Sequence, residues 1–429
     1  MSRSKWMTGL FVAFAALATS LPAAAQTGIA ATAQGSNNRW AATWSAAPQQ
    51  PGPTTIDALF GNDHSRSFEN QTLRHIVHTS VGGRRVRARF SNAFGILPLR
   101  IGAAYVATRR AGASIYPSSG RQLKFGGQNS IVIPAGAVVV SDAAEFNIAA
   151  GADMAVSIYL PEATEPATFH EATGLTSYVT GTGNFASAAD LPGATATLST
   201  CYLSVVEVLP SDAVGTLVAF GDSITQGFGS TPDTNHTWPD LLSQRLNTYG
   251  RPRLSVINQG IGCGRLLHDF CGPGGAARFD RDVLTVTGAT HVIVHLGLND
   301  IDMPTILPIF GHPEFAAEAV SAAEIIAGLQ QLVQRAHAQD IEIFGATINP
   351  FGSSTVPGVF TPENEAKRQA VNRWIRTSGA FDGVVDFDAA VRDPANPARL
   401  LAAYDFDGIH LTDGGYEAMA NAINIGMFF

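Results

Sequence analysis

The sequence predicts an α/β fold with a doubly wound parallel sheet in the C-terminal half of the chain, preceded by an all-β region. Two observations predict this division. From about residue 40 to 210, short segments alternate apolar and polar residues with a period of two, which is typical of half-buried strands. From about residue 214, apolar runs alternate with amphipathic helices, which indicates buried parallel strands joined by helical crossovers.

The N-terminus has the composition of a secretory signal peptide. Arg3 and Lys5 precede an apolar run over residues 7–21, and a proline- and alanine-rich segment follows it as a cleavage region. We therefore assign residues 1–25 to a signal peptide and 26–38 to a leader, and we expect a secreted or periplasmic protein. The run is short for a membrane span, so we expect no stable membrane anchor; an uncleaved anchor is the alternative.

The composition argues against several classes of partner. The chain of 429 residues carries a net charge of −8, with 14% charged residues, and it has no Lys/Arg run of the kind that binds nucleic acid. Its three cysteines, Cys201, Cys263 and Cys271, have the spacing of neither a zinc site nor a redox dithiol. We therefore expect no nucleic acid, no zinc site at these cysteines and no redox dithiol. Export permits disulfides, and Cys263 and Cys271, close together in one glycine-rich loop, could form one.

The region from 39 to 210 predicts a β-sandwich or jelly roll, because its strands are short and turns rather than helices separate them. Arg85, Arg87 and Arg89 alternate with apolar residues in one strand. We interpret these arginines as a solvated face, with an acidic ligand as the alternative. The histidines here are scattered without the spacing of metal ligands, and we interpret them as ordinary polar residues. The predicted strands include residues 85–90, 131–133, 137–140, 154–159 and 202–208.

The region from 214 to 429 predicts five buried strands in a parallel sheet. A capping box of Ser321 and Glu324 begins one amphipathic helix, and Thr361 followed by Pro362 begins another. Sites in such sheets form where the carboxyl ends of the strands meet, so candidate residues should follow the strands. The predicted strands cover residues 217–220, 254–257, 292–296, 341–348 and 384–387.

Three candidate groups follow the first three of these strands. Ser223 ends a Gly-Asp-Ser turn before a helix, which exposes a hydroxyl beside backbone N–H groups, as nucleophilic acyl transfer requires. The alternative is simple turn chemistry. The glycine-rich loop over residues 258–265 either aims N–H groups into a cleft or is a plain connection. Asn299 either offers its side-chain amide to a developing oxyanion or makes a local turn bond.

Asp407 and His410 lie three residues apart, just before the last predicted helix. At this spacing the carboxylate can reach the imidazole and fix its tautomer, which leaves the other ring nitrogen to take the proton of a serine. Taken alone, His410 would more often be a structural histidine. We interpret Asp413 as a turn or cap residue rather than a catalytic one.

In this order and context, the four blocks resemble the GDSL/SGNH serine hydrolases over residues 214–429. The resemblance implies a three-layer α/β/α domain of flavodoxin-like type. It also implies that Ser223 is the nucleophile and that Asp407 and His410 complete its triad. The oxyanion hole would comprise the backbone N–H of Ser223, a backbone N–H of the second block and the side chain of Asn299.

One position departs from the family pattern. The second block of the family usually reads Asn-x-x-x-x-Gly, and the sixth position here is Cys263. A backbone N–H survives this replacement, whereas a conformation open only to glycine would not, so Gly262 and Cys263 are rival donors. A disulfide from Cys263 to Cys271 would brace the loop. The N-terminal region, at residues 70–74 and 86–95, is similar to the β-sandwich region that precedes the hydrolase domain in a secreted bacterial subgroup.

The resemblance therefore implies a secreted serine esterase that needs no metal or organic cofactor. Short acyl groups on carbohydrate are the expected substrate, as in an acetylated polysaccharide, and small aryl or alkyl esters are an alternative. A lipase or thioesterase of the same fold is a further possibility, and a carbohydrate-binding protein with a degenerate hydrolase domain is the non-enzymatic one. The sequence has no long apolar lid segment of the kind that would favour lipids.

Overall fold

A computed structural model describes residues 39–51, 66–212, 215–249 and 254–429, and residues 37–429 form one compact unit. The predicted signal peptide and the leader lie outside the described residues. Within the described ranges, no helix combines the length and the apolar character needed to cross a bilayer.

The N-terminal region is built of short strands, as predicted. Their bounds are β1 (Ala41–Ser45), β2 (Gln71–His78), β3 (Gly83–Ser91), β4 (Leu99–Ile101), β5 (Ala103–Ala111), β6 (Ser114–Ile115), β7 (Arg121–Leu123), β8 (Ile131–Ile133), β9 (Val138–Val140), β10 (Ala144–Ile148), β11 (Asp153–Leu160), β12 (Phe169–His170), β13 (Ser177–Thr182), β14 (Thr195–Thr197), β15 (Thr200–Cys201) and β16 (Leu203–Leu209).

Two larger antiparallel sheets organise these strands. One has the order β1-β16-β3-β10 with β9 beside β3, and the other has the order β14-β13-β2-β11-β5-β6 with β7 beside β5. Apolar side chains of both sheets share one hydrophobic cluster; Val86 and Phe90 come from the first sheet, and Leu73 and Val156 from the second. The region is therefore β-rich, and its description as a sandwich stays a prediction.

The C-terminal region contains a parallel sheet of five strands, as its sequence predicts. The strands are β17 (Gly215–Gly221), β18 (Leu254–Gly260), β19 (Ala289–His295), β20 (Glu342–Ala346) and β21 (Gly383–Val385), and a small hairpin of β22 (Arg392–Asp393) and β23 (Asn396–Leu400) follows. The α-helices are α1 (Ser223–Gln226), α2 (Trp238–Tyr249), α3 (Gly275–Phe279), α4 (Leu298–Ile306), α5 (Ala322–His337), α6 (Pro362–Thr377), α7 (Phe387–Val391) and α8 (Asp413–Ala422).

The strand order of this sheet is β18-β17-β19-β20-β21, so the winding reverses direction at β17. Connections from the carboxyl ends of β17 and β19 leave in opposite directions at such a point, which opens a crevice between them. The predicted helix starts are confirmed: Ser321 and Glu324 form the capping box of α5, and Thr361 caps α6 with Pro362 in its first turn. The three-layer arrangement of helices around the sheet stays a prediction.

Buried polar contacts join the N-terminal region to the parallel sheet. Ser80 Oγ lies 2.8 Å from Ser255 Oγ, near the start of β18.

The side chain of Glu207 is fully buried and pairs with both Arg87 and Arg89. The expectation of a solvated arginine face is therefore wrong for these two arginines, because a buried carboxylate of the neighbouring strand neutralises them. The domain boundary between residues 210 and 214 stays a prediction.

Candidate active site

Ser223 is placed by the tight connection between β17 and α1. Asp222 caps α1, and its Oδ1 accepts the backbone N–H of Ile224 at 3.0 Å. A Cβ on Gly260, at the end of neighbouring β18, would lie 2.2 Å from the backbone nitrogen of Gln226. Only glycine therefore lets β18 approach the nucleophile helix this closely. The serine itself is 7% exposed, at the carboxyl edge of the sheet where the sequence predicts a site.

The structure joins Ser223, His410 and Asp407 by hydrogen bonds. Ser223 Oγ lies 2.8 Å from His410 Nε2, and His410 Nδ1 lies 2.8 Å from Asp407 Oδ2. The other carboxylate oxygen of Asp407 accepts the backbone N–H groups of Ile409 and His410. Partial burial works to raise the pKa of Asp407, but the hydrogen bond and charge of His410 and these N–H groups lower it to about 2.

An ionised Asp407 fixes the proton pattern of the imidazole. Because a carboxylate only accepts hydrogen bonds, His410 Nδ1 must carry the proton and Nε2 must be the acceptor that faces Ser223 Oγ. The hydroxyl is thereby aligned with a base that can remove its proton. The side chain of His410 is 16% exposed, which leaves the base close to the surface of the molecule.

The glycine-rich loop after β18 has its unusual backbone at the position that departs from the family pattern. Cys263 has a φ of +53°, in the left-handed region that favours glycine, and Gly262 is not among the residues with positive φ. Cysteine therefore takes, at this sixth position, a backbone conformation that glycine adopts more readily. Whether Gly262 or Cys263 donates to an oxyanion stays a prediction.

Asn299 and Asp300, at the start of α4, form hydrogen bonds with this loop and with the residues that follow it. Asn299 Nδ2 donates to Gly264 O at 3.0 Å, and the amide has a second N–H to offer. Asp300 accepts the backbone N–H groups of Leu266 and Leu267 at 2.6 and 2.9 Å. Sequence reasoning missed Asp300, although its place beside Asn299 after a predicted strand was a signal that could have found it.

The cysteines are free thiols in this structure. Cys201 is buried in the N-terminal β-rich region, and burial raises its pKa to about 12, so this thiol is protonated at neutral pH. Cys271 is buried beside Cys263. Burial, and next a side-chain hydrogen bond with Cys263, raise the pKa of Cys271 well above its ordinary value. The predicted pair is thus adjacent, and its oxidation stays a prediction.

Two aromatic side chains beside His410 were also missed. The ring centroids of Phe228 and His410 lie 4.6 Å apart, and Phe406 meets Phe228 edge-on at 6.1 Å. Phe228 is 51% exposed and Phe406 is 54% exposed. The hydroxyl of Tyr416 donates to Phe228 O at 2.6 Å and holds the backbone in place. No sequence pattern distinguishes these phenylalanines from core residues.

A group of buried carboxyls lies behind the nucleophile. Burial raises the pKa of Asp222 to about 7, and burial together with the charge of Asp222 raises the pKa of Asp302 to about 8. Asp302 Oδ1 has no hydrogen-bond partner among the described residues. In those residues, no group of three or more His, Cys, Asp or Glu side chains could hold a metal ion.

A hydroxyl, an imidazole and a carboxylate in hydrogen-bonded sequence, beside an amide and a glycine-rich loop, define the class of serine hydrolases. The sequence comparison agrees with this geometry. Residues 219–418 match the GDSL-like Lipase/Acylhydrolase family model, so this part of the chain is a GDSL-like domain. The C-terminal region is therefore a carboxylic ester hydrolase domain of the GDSL type.

Several solved structures are distantly similar to the chain. A carbohydrate acetylesterase from Sinorhizobium meliloti is 16% identical, at a TM-score of 0.39, with 50% of this chain and 100% of that chain covered. An aryl esterase from M. smegmatis is 19% identical, at 0.37, with 48% and 95% covered. A GDSL-like lipase from Bacteroides thetaiotaomicron is 19% identical, at 0.36, with 50% and 87% covered. No curated protein matches the chain.

Proposed function

We propose that the protein is a secreted or periplasmic serine esterase, with a three-layer α/β/α hydrolase domain behind a β-sandwich. Its proposed substrates are short acyl esters, acetyl groups on carbohydrate foremost. Ser223, His410 and Asp407 are the proposed catalytic residues. The observation that carries this proposal is the chain of two 2.8 Å contacts from Ser223 Oγ through His410 to Asp407.

The proposed reaction has two halves. His410 Nε2 takes the proton of Ser223 as Oγ forms a bond to the ester carbonyl carbon, and Asp407 stabilises the resulting imidazolium. The bond from this carbon to the alcohol oxygen then breaks, and His410 gives its proton to the departing oxygen. In the second half, His410 takes a proton from water as the water oxygen bonds to the acyl carbon. The bond from this carbon to Ser223 Oγ then breaks, and His410 returns the proton to Oγ. The oxyanion of each tetrahedral intermediate is held by the N–H of Ser223, a loop N–H and Asn299.

The experiment that tests this proposal is the Ser223→Ala variant. It should lose turnover of p-nitrophenyl acetate and labelling by a fluorophosphonate probe, because both require a serine nucleophile. Its circular dichroism should match that of the wild type. Turnover retained by a well-folded Ser223→Ala variant would disprove the assignment of Ser223 as the nucleophile. Absence of labelling in the wild type would favour a hydrolase domain that has lost its activity.

The carbohydrate substrate rests on the organisation of the chain. An apolar N-terminal run with a small-residue cleavage region supports export, and an exported domain behind a β-rich region suits a polymer outside the cell. Two measurements test these points. Mass spectrometry of the mature protein should find an N-terminus near residue 26, and acetylated xylan should release acetate faster than long-chain esters are cleaved.

Aryl esters are the second candidate, and the exposed aromatic pair favours them. His410 must reach the leaving oxygen to protonate it, so the alcohol part of the substrate lies on the side of His410. Phe228 contacts that imidazole, and Phe228 and Phe406 present more than half of their surfaces to solvent there. A flat ring on the alcohol would bury this surface.

Two acetates with leaving alcohols of similar acidity test the second candidate: 2-naphthyl acetate and hexafluoroisopropyl acetate. Phe228→Ala should lower kcat/KM for the naphthyl ester by about tenfold, with a much smaller loss for the fluoroalkyl ester. The matched control is Phe406→Ala. It removes the ring that packs on Phe228 and leaves the ring that packs on His410, so its effect on the naphthyl ester does not come from damage to the imidazole. Equal losses on both esters would show that the rings serve His410 and not the alcohol.

A further inference from the structure

The side chain of Gln49, in the N-terminal β-rich region, is fully buried against the loop that follows β18. Its Nε2 donates to Cys271 O at 2.8 Å, and its Oε1 accepts the backbone N–H of Glu171 at 2.9 Å. A Cβ on Gly272 would lie 3.4 Å from Gln49 Cγ, so the two segments are in close contact. One amide thus ties Cys271, which follows the glycine-rich loop and lies beside Cys263, to the N-terminal region.

The backbone of Gln49 is itself held by the N-terminal region. Its N–H donates to Phe169 O at 2.7 Å, and the N–H of Phe169 donates back to Gln49 O at 3.3 Å. Both ends of the side-chain amide are occupied, and the main chain is paired on both sides. The main chain and the amide oxygen of Gln49 are therefore held by the N-terminal region, and its amide nitrogen is left to bind Cys271 O.

A second contact from the same region reaches helix α1, beside the loop. His170 Nδ1 lies 2.9 Å from Ala47 O, so Nδ1 carries the proton and Nε2 accepts from Gln226 Nε2 at 3.4 Å. This bond orients the Gln226 amide with its oxygen toward Gly262, where it would lie 3.0 Å from a Cβ. Gln226 ends the nucleophile helix α1. The N-terminal region therefore contacts the end of the nucleophile helix, and the side chain at that end faces the loop.

The loop has a physical need for these contacts. Gly260, Gly262 and Gly264 give its backbone more freedom than other residues would, and Cys263 has a positive φ that is strained for a residue other than glycine. Asn299 and Asp300 hold the loop from the side of α4. A donor that must meet an oxyanion within a few tenths of an ångström requires support on its other side as well.

We propose that Gln49 is a positioning residue, through which the N-terminal β-rich region holds the loop that supplies a backbone donor to the oxyanion. The N-terminal region is then a component of the catalytic apparatus and not only an appended module. This inference rests on the proposed function, because it assigns the loop a role in that reaction.

The test compares Gln49→Leu with Ser80→Ala in the full-length mature protein. Leucine fills the space of glutamine and removes both side-chain hydrogen bonds. Ser80→Ala removes a buried bond between the same two regions, at the start of β18 and away from the loop at its end. Each variant is assayed with p-nitrophenyl acetate and titrated with phenylboronic acid, which forms a tetrahedral adduct with an active serine.

Gln49→Leu should lower kcat by about tenfold and weaken phenylboronic acid by a similar factor, with KM changed by less than about twofold. Ser80→Ala should keep the kcat and the boronate affinity of the wild type, whatever its melting temperature. Gln49→Asn keeps an amide but is too short to reach both partners, and should give a smaller loss of the same kind. This variant serves as the test if Gln49→Leu does not fold.

Equal losses in the Gln49 and Ser80 variants would overturn the inference, since they would report general loosening between the regions. A folded Gln49 variant with unchanged kcat and boronate affinity would overturn it as well. The outcome is separable from the fate of the proposed function. If Ser223→Ala retains turnover, the proposed function fails; if Ser223→Ala is inactive while Gln49→Leu behaves as wild type, only this inference fails.

Discussion

Asp407 contacts His410 twice: Oδ2 lies 2.8 Å from the ring Nδ1, and Oδ1 accepts the backbone N–H of the same residue at 2.8 Å. The two contacts use both oxygens of one carboxylate and therefore fix both the main chain and the ring of His410. The interaction with His410 and the nearby N–H groups outweighs partial burial and sets the pKa of Asp407 at about 2. The carboxylate thus stays ionised through the range in which an esterase of this kind would be assayed.

Replacing Asp407 by asparagine should lower kcat for p-nitrophenyl acetate by about a thousandfold or more. The amide N–H₂ would face the ring Nδ1, which favours the tautomer with the proton on Nε2 and leaves no base for Ser223. Steady-state kinetics at pH 7 to 9 measures this loss, and Asp405→Asn, in the same loop, is a control for loop damage. Activity near the wild-type level in Asp407→Asn would exclude Asp407 from the triad.

Asn299→Ala should lower kcat by about a hundredfold and leave KM nearly unchanged, because an oxyanion donor acts on the transition state and not on the bound ester. The bond from Asn299 Nδ2 to Gly264 O would be lost as well. Phenylboronic acid tests whether the loss concerns the tetrahedral state: its affinity should fall in parallel with kcat, through the lost donor and the lost support of the loop together. A rise in KM alone would indicate that Asn299 only shapes the site.

Cys263→Gly should keep activity within about threefold and raise the free energy of unfolding by up to about 1 kcal/mol, because glycine takes a φ of +53° without strain. Cys263→Val should destabilise the protein, since a β-branched side chain is strongly disfavoured at positive φ. Urea unfolding and steady-state kinetics test both variants. If Cys263→Gly loses activity as severely as Ser223→Ala, the thiol itself is required.

Much of the fold could be predicted from the sequence where a periodic pattern coincides with burial. The strand over residues 217–220, the capping box at Ser321 and the helix start at Thr361 could all be recognised because each depends on local residues. The class of the C-terminal domain followed from blocks such as Gly-Asp-Ser at strand ends. These features require no knowledge of distant parts of the chain.

The parts that could not be predicted depend on contacts between distant segments. Glu207 sits in a strand of apolar residues, and only the pairing of β16 with β3 shows that it neutralises Arg87 and Arg89. The sequence indicates only an ordinary polar residue at His170 and carries no signal at Gln49, because their partners are far away in sequence. Nothing in the local sequence predicts that the side chains of Phe228 and Phe406 are exposed, since a phenylalanine most often lies in the hydrophobic core.

The buried carboxyl of Asp302 predicts how stability changes with pH. Burial, and then the charge of Asp222, raise the pKa of Asp302 from 3.8 to about 8 in the folded protein. Between about pH 4 and pH 8 the folded state therefore holds a proton that the unfolded chain has released. Stability must fall as pH rises through this window, because the folded state binds more protons than the unfolded state.

Asp302→Asn removes this dependence while it keeps the size and shape of the side chain. The variant should exceed the wild type in free energy of unfolding by about 1–3 kcal/mol at pH 8, and the difference should be smallest below pH 3.8, where the aspartate is mostly neutral in both states. Urea unfolding at several pH values measures the difference, with Glu145→Gln as a control at an exposed carboxylate. A gain in stability that is equal at all pH values would show that the effect comes from hydrogen bonding or packing and not from the proton. A gain that grows as pH falls would show that Asp302 is ionised in the folded protein.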